Sequence, residues 1–264
     1  NWSYPIFLQY REKISIMDTY GLIGYPLKHS FSKKFFTEKL EKEGIDAEYL
    51  NFEIEDISQF TDIIRNYTTL KGLNVTIPYK EKIIPYLDGL DKGAESIGAV
   101  NVVKVIQDKN NATRLIGYNS DIIGFQESIR PLINTAIHKK ALILGTGGAS
   151  KAVKGALDAL DIEWICVSRT PSEGQLSYSD IDSHVMKEYS VIVNTSPLGT
   201  FPDVDNAPDI PYTLLTDKHL LFDLVYNPAE TKFLRLGKEN KASIKNGAQM
   251  LELQAIAAWK IWNE

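Results

Sequence analysis

Residues 139–160, KKALILGTGGASKAVKGALDAL, decide the fold. They read as an apolar strand, a glycine turn and a helix, in that order. Gly145-Thr146-Gly147-Gly148-Ala149-Ser150 sits at the junction. Glycines there permit a tight turn and let a pyrophosphate approach the backbone, while the helix start offers free N–H groups and a positive dipole end. Ser150 holds the position of the third glycine, so the match to the dinucleotide fingerprint is imperfect. A plain strand-to-helix turn is the alternative. The next strand, EWICVSRT, ends Ser168-Arg169-Thr170. An acidic residue at that end would accept from a ribose 2′-hydroxyl, whereas an arginine can pair with a 2′-phosphate. That favours NADP over NAD, and a nicotinamide cofactor implies hydride transfer with an accompanying proton donor or acceptor.

The alternation of strand and helix extends in both directions from this point, which predicts an α/β protein with largely parallel sheets. Before it come YGLIG, the helix SFSKKFFTEKLEKEG with Gly44 as its stop, AEYLNFEI, DISQFTDIIRNY opened by Asp56 or Ser58, and LKGLNVTIP. YKEKIIPYLDGL reads as helical with a break at Pro85, and AVNVVKVIQ and TRLIGYN as a hairpin across DKNN. After it come YSVIVNTSP, HLLFDLVYNP, KASIKNG and a closing helix, AQMLELQAIAAWKIW. The pattern restarts after DIIGFQESIRPL, and the boundary is expected near residue 119. This predicts a substrate-binding and catalytic domain over 17–118 and a Rossmann-like NADP-binding domain over 119–246.

The bulk numbers exclude several classes. The chain has 264 residues, net charge −5 and pI about 5.5, with no basic block to mark a nucleic-acid partner. No apolar run reaches the ~18–20 residues of a membrane span. The single cysteine, Cys166, lies in the apolar WICV and fits a buried thiol in a reducing, cytoplasmic setting. His29, His138, His184 and His219 are too scattered for a metal site. Residues 1–16 do not resemble a signal peptide, and Met17 is the expected start, with 1–16 an extension.

GLNVTIPYKE, residues 72–81, alternates Val75 and Ile77 on one face with Asn74 and Thr76 on the other, then ends at Pro78 and presents Lys80. An amide, a hydroxyl and an ammonium at one strand's carboxyl end suggest a ligand site, with a surface turn as the alternative. Ser30 and Ser32 flank a helix start and suit either a carboxylate or a cap. A ketone accepting hydride must be protonated as charge builds on its oxygen, and Lys80 beside Asp121 is the candidate pair. Asp121 could instead cap the helix DIIGFQ. Gln254 lies on an apolar helix face with Met250 and Ala258, where a buried amide needs partners.

GYPLKHSFS, GLNVTIPYKE, GAVN, GYNSDIIGF, GTGGAS, SRT, NTSPLG, DLVYNP and NGAQMLELQA together resemble the shikimate dehydrogenase family, from Tyr20 to about Trp259. The resemblance implies reversible reduction of 3-dehydroshikimate to shikimate by NADPH, an oxidoreductase step on a CH–OH group in aromatic amino-acid biosynthesis. It implies two α/β domains around a cleft, with the helix at 247–264 packing back on the first. It places Lys80 and Asp121 as the catalytic pair and Ser30 and Ser32 at the substrate carboxylate. Asn74, Thr76, Asn101, Tyr226 and Gln254 fall elsewhere around the substrate. Gly145, Thr146, Gly147, Gly148 and Ala149 form the pyrophosphate loop, and Ser168, Arg169 and Thr170 surround the 2′-phosphate. Asn194, Thr195, Ser196 and Gly247 line the cofactor. No metal is implied, and the chain is expected as monomer or homodimer. Where many members carry a second basic residue after the arginine, this chain has Pro171-Ser172-Glu173-Gly174. Relatives using NAD or quinate keep much of the same frame, and a non-catalytic sensor is the distant alternative.

Overall fold

A computed structural model describes residues 16–28, 30–110 and 112–264. The expected extension at 1–16, apart from Ile16, lies outside these residues, as does His29. The chain runs β1 (Asp18–Gly24), α1 (Phe31–Glu43), β2 (Ala47–Glu53), α2 (Phe60–Asn66), β3 (Leu70–Val75), β4 (Gly89–Leu90), α3 (Lys92–Ile97), β5 (Val102–Gln107) and β6 (Thr113–Tyr118). It continues α4 (Ser120–Ile129), β7 (Lys140–Leu144), α5 (Gly148–Ala159), β8 (Glu163–Val167), α6 (Ser183–Glu188), β9 (Val191–Asn194), β10 (Leu220–Asp223), α7 (Lys232–Glu239), β11 (Ser243–Lys245) and α8 (Ala248–Asn263).

Two sheets result. The first has the order β2-β1-β3-β5-β6-β4; β1 pairs in parallel with β2 and β3, and the β5–β6 hairpin joins β3 antiparallel. The second, β11-β10-β9-β7-β8, is parallel throughout. Strand order reverses at β7, whose successor β8 lies on one side and β9 on the other. Ligands of open parallel sheets bind at the carboxyl ends of strands flanking such a reversal. Cys166 is buried in β8, where burial raises its thiol pKa. No helix among the described residues is long and apolar enough to cross a membrane.

Local chemistry explains the helix ends. Ser30, Asp91, Asn119, Asp182 and Thr231 cap α1, α3, α4, α6 and α7 by accepting from backbone N–H groups. Gly44 ends α1 at φ 62°. Two expectations fail around Pro78. β3 stops at Val75, and Ile77 is 74% exposed rather than paired with Val75 on a buried face. Residues 80–86 form turns and a short 3-10 segment rather than an interrupted helix. Tertiary bonds override the local pattern: the Tyr79 hydroxyl donates to the Ile54 carbonyl, and Ile83 is fully buried.

Helix α8 crosses back onto the first sheet. Trp262 packs with Tyr20 and Phe36, and its indole N–H donates to the Val103 carbonyl at 3.1 Å. A Cβ at Gly72 would lie 2.2 Å from the Trp262 ring, so glycine is what lets the indole lie on β3. In the second sheet, Asp223 is fully buried at the end of β10. Its carboxylate accepts from Asn194 Nδ2 and Val225 N, both at 3.0 Å, and from Thr231 Oγ1 at 2.6 Å. Burial outweighs these bonds and pushes its pKa up to about 6.

Trp262→Ala is expected to lower stability by about 3–5 kcal/mol in urea unfolding, because it opens a cavity under β3. Asp223 gives a pH signature. The folded state keeps a proton that the unfolded chain sheds near pH ~3.9, so the stability this group adds is complete below that pH and is lost as pH rises through about 6. Between pH ~4.5 and ~7.5 the wild type should therefore lose about 2 kcal/mol relative to Asp223→Asn, a difference that paired melts would follow. A gap between the two proteins that stays constant with pH would remove Asp223 as its source.

Candidate active site

The first turn of α4 gathers one group of side chains. Asn119 accepts from Ile122 N at 3.3 Å and donates to the Ala99 carbonyl at 3.1 Å, so Asn119, not Asp121, is the cap. Asp121 is thereby free to meet Lys80, with Nζ 2.7 Å from its Oδ2. A carboxylate in a helix's first turn is favoured by the dipole. The pair is partly buried, with side chains 25% and 18% exposed, which leaves the ammonium reachable from solvent. Lys80 is held from behind, its carbonyl accepting from Val100 N at 2.8 Å.

Asn101 clamps the same turn. Its Oδ1 accepts from Ser120 N at 2.7 Å, and its Nδ2 donates to Ser120 Oγ at 2.9 Å. Ser120 Oγ donates to Gln254 Oε1 at 3.4 Å, and Gln254 Nε2 donates to the Leu251 carbonyl at 2.9 Å. The protein thus supplies the partners that the buried Gln254 amide requires. Sequence reasoning misses Ser120 and Tyr49, since nothing local marks either as a junction.

Around Tyr49 lies a second group. Its hydroxyl donates to Asn74 Oδ1 at 2.7 Å. Full burial holds this phenol well above its ordinary pKa, so it stays a donor. Asn74 Nδ2 is buried and has no partner among the described residues. A bound hydroxyl would offset that cost, about 1–3 kcal/mol. Ser30 accepts from Lys33 N at 3.0 Å as the α1 cap, which leaves its hydroxyl hydrogen free to donate. Thr76 is half-buried; its methyl covers Gly24, where a Cβ would lie 2.4 Å away.

The third group occupies the strand ends at the reversal of the second sheet. Gly145 has φ 115°, and a Cβ there would meet Thr195 Oγ1 at 2.7 Å. Thr195 Oγ1 donates to the Leu144 carbonyl at 2.8 Å. Asn194 Oδ1 accepts from Ser196 N at 3.0 Å and Ser196 Oγ at 2.6 Å, so the Asp223 knot extends into this loop. Asp223 and Thr231 also escape sequence reasoning as site supports, because their partners are distant along the chain. Gly247 lies against Leu224, where a Cβ would come 2.1 Å from the carbonyl oxygen. Ser168, Arg169 and Thr170 follow the end of β8 beside this turn, where Gly145 N donates to the Val167 carbonyl and Ser168 N to the Leu176 carbonyl, both at 2.9 Å, and Thr170 N donates to Ser168 Oγ at 3.2 Å. Arg169 and Tyr226 are exposed.

A dinucleotide fits this third group. Thr146, Gly147, Gly148 and Ala149 are exposed, and no protein atom comes within 4 Å of a Cβ built at Gly147 or Gly148. Protein packing therefore does not explain these glycines, whereas close approach of a pyrophosphate does. Helix α5 starts on Gly147 with no side-chain cap, which leaves its N–H groups for an anion. Ser150 is buried and donates to the Gly147 carbonyl at 2.6 Å, which braces the turn and accounts for serine at the third position. Among the described residues no cluster of His, Cys, Asp and Glu could hold a metal.

Residues 22–103 match the model of the shikimate dehydrogenase substrate binding domain. The NADP(+)-dependent shikimate dehydrogenase of Carboxydothermus hydrogenoformans is 37% identical over 258 residues, covering 92% of this chain and 90% of that protein. Its counterpart in Aquifex aeolicus is 38% identical over 254 residues, with 92% and 90% covered. The crystal structure of the Thermus thermophilus shikimate 5-dehydrogenase, in complex with NADP(H) and shikimate, superposes with TM-score 0.78 at 29% identity, covering 93% of each chain. On this evidence the chain belongs to the shikimate dehydrogenase family.

Proposed function

We propose that this chain is an NADP-dependent shikimate dehydrogenase that reversibly reduces 3-dehydroshikimate to shikimate in aromatic amino-acid biosynthesis. The observation that carries the reading is the Lys80–Asp121 pair at 2.7 Å, in a molecule that also presents an open, uncapped glycine turn. When bound, the cofactor supplies the hydride. Lys80 gives its proton to the carbonyl oxygen as negative charge gathers there, and in the reverse direction takes it back. Asp121 holds the ammonium in place and keeps it from turning to solvent. Ser30 and Ser32 offer hydroxyls to the substrate carboxylate, and Asn74 offers its unpaired Nδ2 to a ring hydroxyl. Asn101 and Gln254 act on the substrate's surroundings through Ser120, and Thr76 and Tyr226 complete the wall. Arg169, with Ser168 and Thr170, faces the 2′-phosphate.

The same reading divides the chain into a substrate half, 17–118 with 247–264, and a cofactor half, 119–246. It places the enzyme in the cytoplasm as a monomer or homodimer. Its test is the change in nicotinamide absorbance when the protein is mixed with 3-dehydroshikimate and NADPH. NADH and dehydroquinate serve as competing arms, because Glu173 stands where a second basic residue would otherwise hold the phosphate. Lys80→Ala should slow turnover by ~10²–10⁴-fold with the fold intact by circular dichroism. Arg169→Ala should raise the KM for NADPH and leave that for NADH unchanged; equal effects on both would remove Arg169 from phosphate recognition.

A further inference from the structure

Two consecutive residues of opposite charge follow β3, and each reaches a different helix. Lys80 pairs with Asp121 on α4, and Glu81 pairs with Lys151 on α5, Oε1 to Nζ, at 2.8 Å. Among the described residues these are the ion pairs that join residues before 119 to residues after it. Lys151 lies one turn into the helix whose start forms the open glycine turn.

We propose that Glu81 and Lys151 are positioning residues: their ion pair straps the segment bearing Lys80 to the helix that receives the cofactor, and so sets the spacing across the cleft. The strap has this role only if the functional reading above holds. Both of its ends are stiff. On one side Tyr79 is anchored to the Ile54 carbonyl, the Lys80 carbonyl to Val100 N, and Ile83 N to the Tyr79 carbonyl at 3.0 Å. On the other, Ala152 and Val153, next along α5, are buried, Val153 in the core of the second sheet. Beside the strap, Ile97 of α3 abuts α5 at Gly155, where a Cβ would lie 3.0 Å from Ile97 Cγ2. That contact limits approach, and the ion pair opposes separation. The pair itself is partly exposed, with side chains 32% exposed for Lys151 and 58% for Glu81. It therefore adds little to global stability and acts by biasing a distance.

The test is a double-mutant cycle with Glu81→Gln, Lys151→Gln and the two combined. The single-turnover rate of NADPH oxidation by 3-dehydroshikimate should fall about two- to fivefold in each single variant, and no further in the double variant. Thermal midpoints should stay at the wild-type value. Single-variant effects that multiply in the double variant, or an absence of any effect, would overturn the strap. A second readout needs no catalysis. Spin labels at Arg65→Cys on α2 and Lys187→Cys on α6, both exposed sites, report the distance between the halves, while Cys166 is buried and unreactive. The distance distribution should broaden in each variant, and equally in the double. Broadening in a protein that proves inactive would sink the functional reading and keep the strap; an unchanged distribution in an active protein would do the reverse.

Discussion

Asn119, Asn101, Gln254 and Lys80 converge on the first turn of α4, and the geometry of the site depends on that turn staying in place. Each contributes differently. Asn119 takes the cap, Asn101 holds Ser120 from the first sheet, Gln254 reaches it from α8, and Lys80 closes on the carboxylate that the cap has left free. The turn is also pressed from behind. Gly124 brings α4 so close to α8 that a Cβ there would lie 2.6 Å from the Met250 carbonyl oxygen. Two helices at backbone distance form a stiff layer between the sheets.

The second half uses the same logic with one buried acid. Asp223 receives three donors from three segments, and one of them, Asn194, passes the restraint to Ser196. An acceptor-only carboxylate suits three converging donors better than any neutral side chain. The raised pKa shows that desolvation exceeds what those donors return. Through these three bonds Asp223 ties the segments after β9 and β10 to the start of α7.

Much of this is legible in the sequence where order is local. Strand, turn and helix over 139–160, the stop at Gly44, the β5–β6 hairpin and the closing helix all follow from short-range spacing. What fails is decided by partners far along the chain. Alternation carries on to Ile77, but Tyr79 turning in toward Ile54 ends the strand early and leaves the residues after it in turns. The two-residue β4 and six-residue α3 are too short to leave a periodic trace. Asn119, Ser120 and Asp121 are each plausible caps by residue type; only the position of Lys80 shows why the asparagine does it. Pairing of Lys80 with Asp121 is accessible as a chemical requirement, whereas Asp223 and Tyr49 carry no local sign of their knots.

The indole of Trp262 donates to a carbonyl 159 positions upstream, in the middle of the first sheet. During translation that sheet emerges from the ribosome early, with Gly72, Tyr20 and Phe36 uncovered. They stay uncovered until the last helix has been made. The first sheet is therefore not closed by the residues around it in sequence: its aromatic face is completed only by α8, and until that helix is made the face is open to non-native contacts.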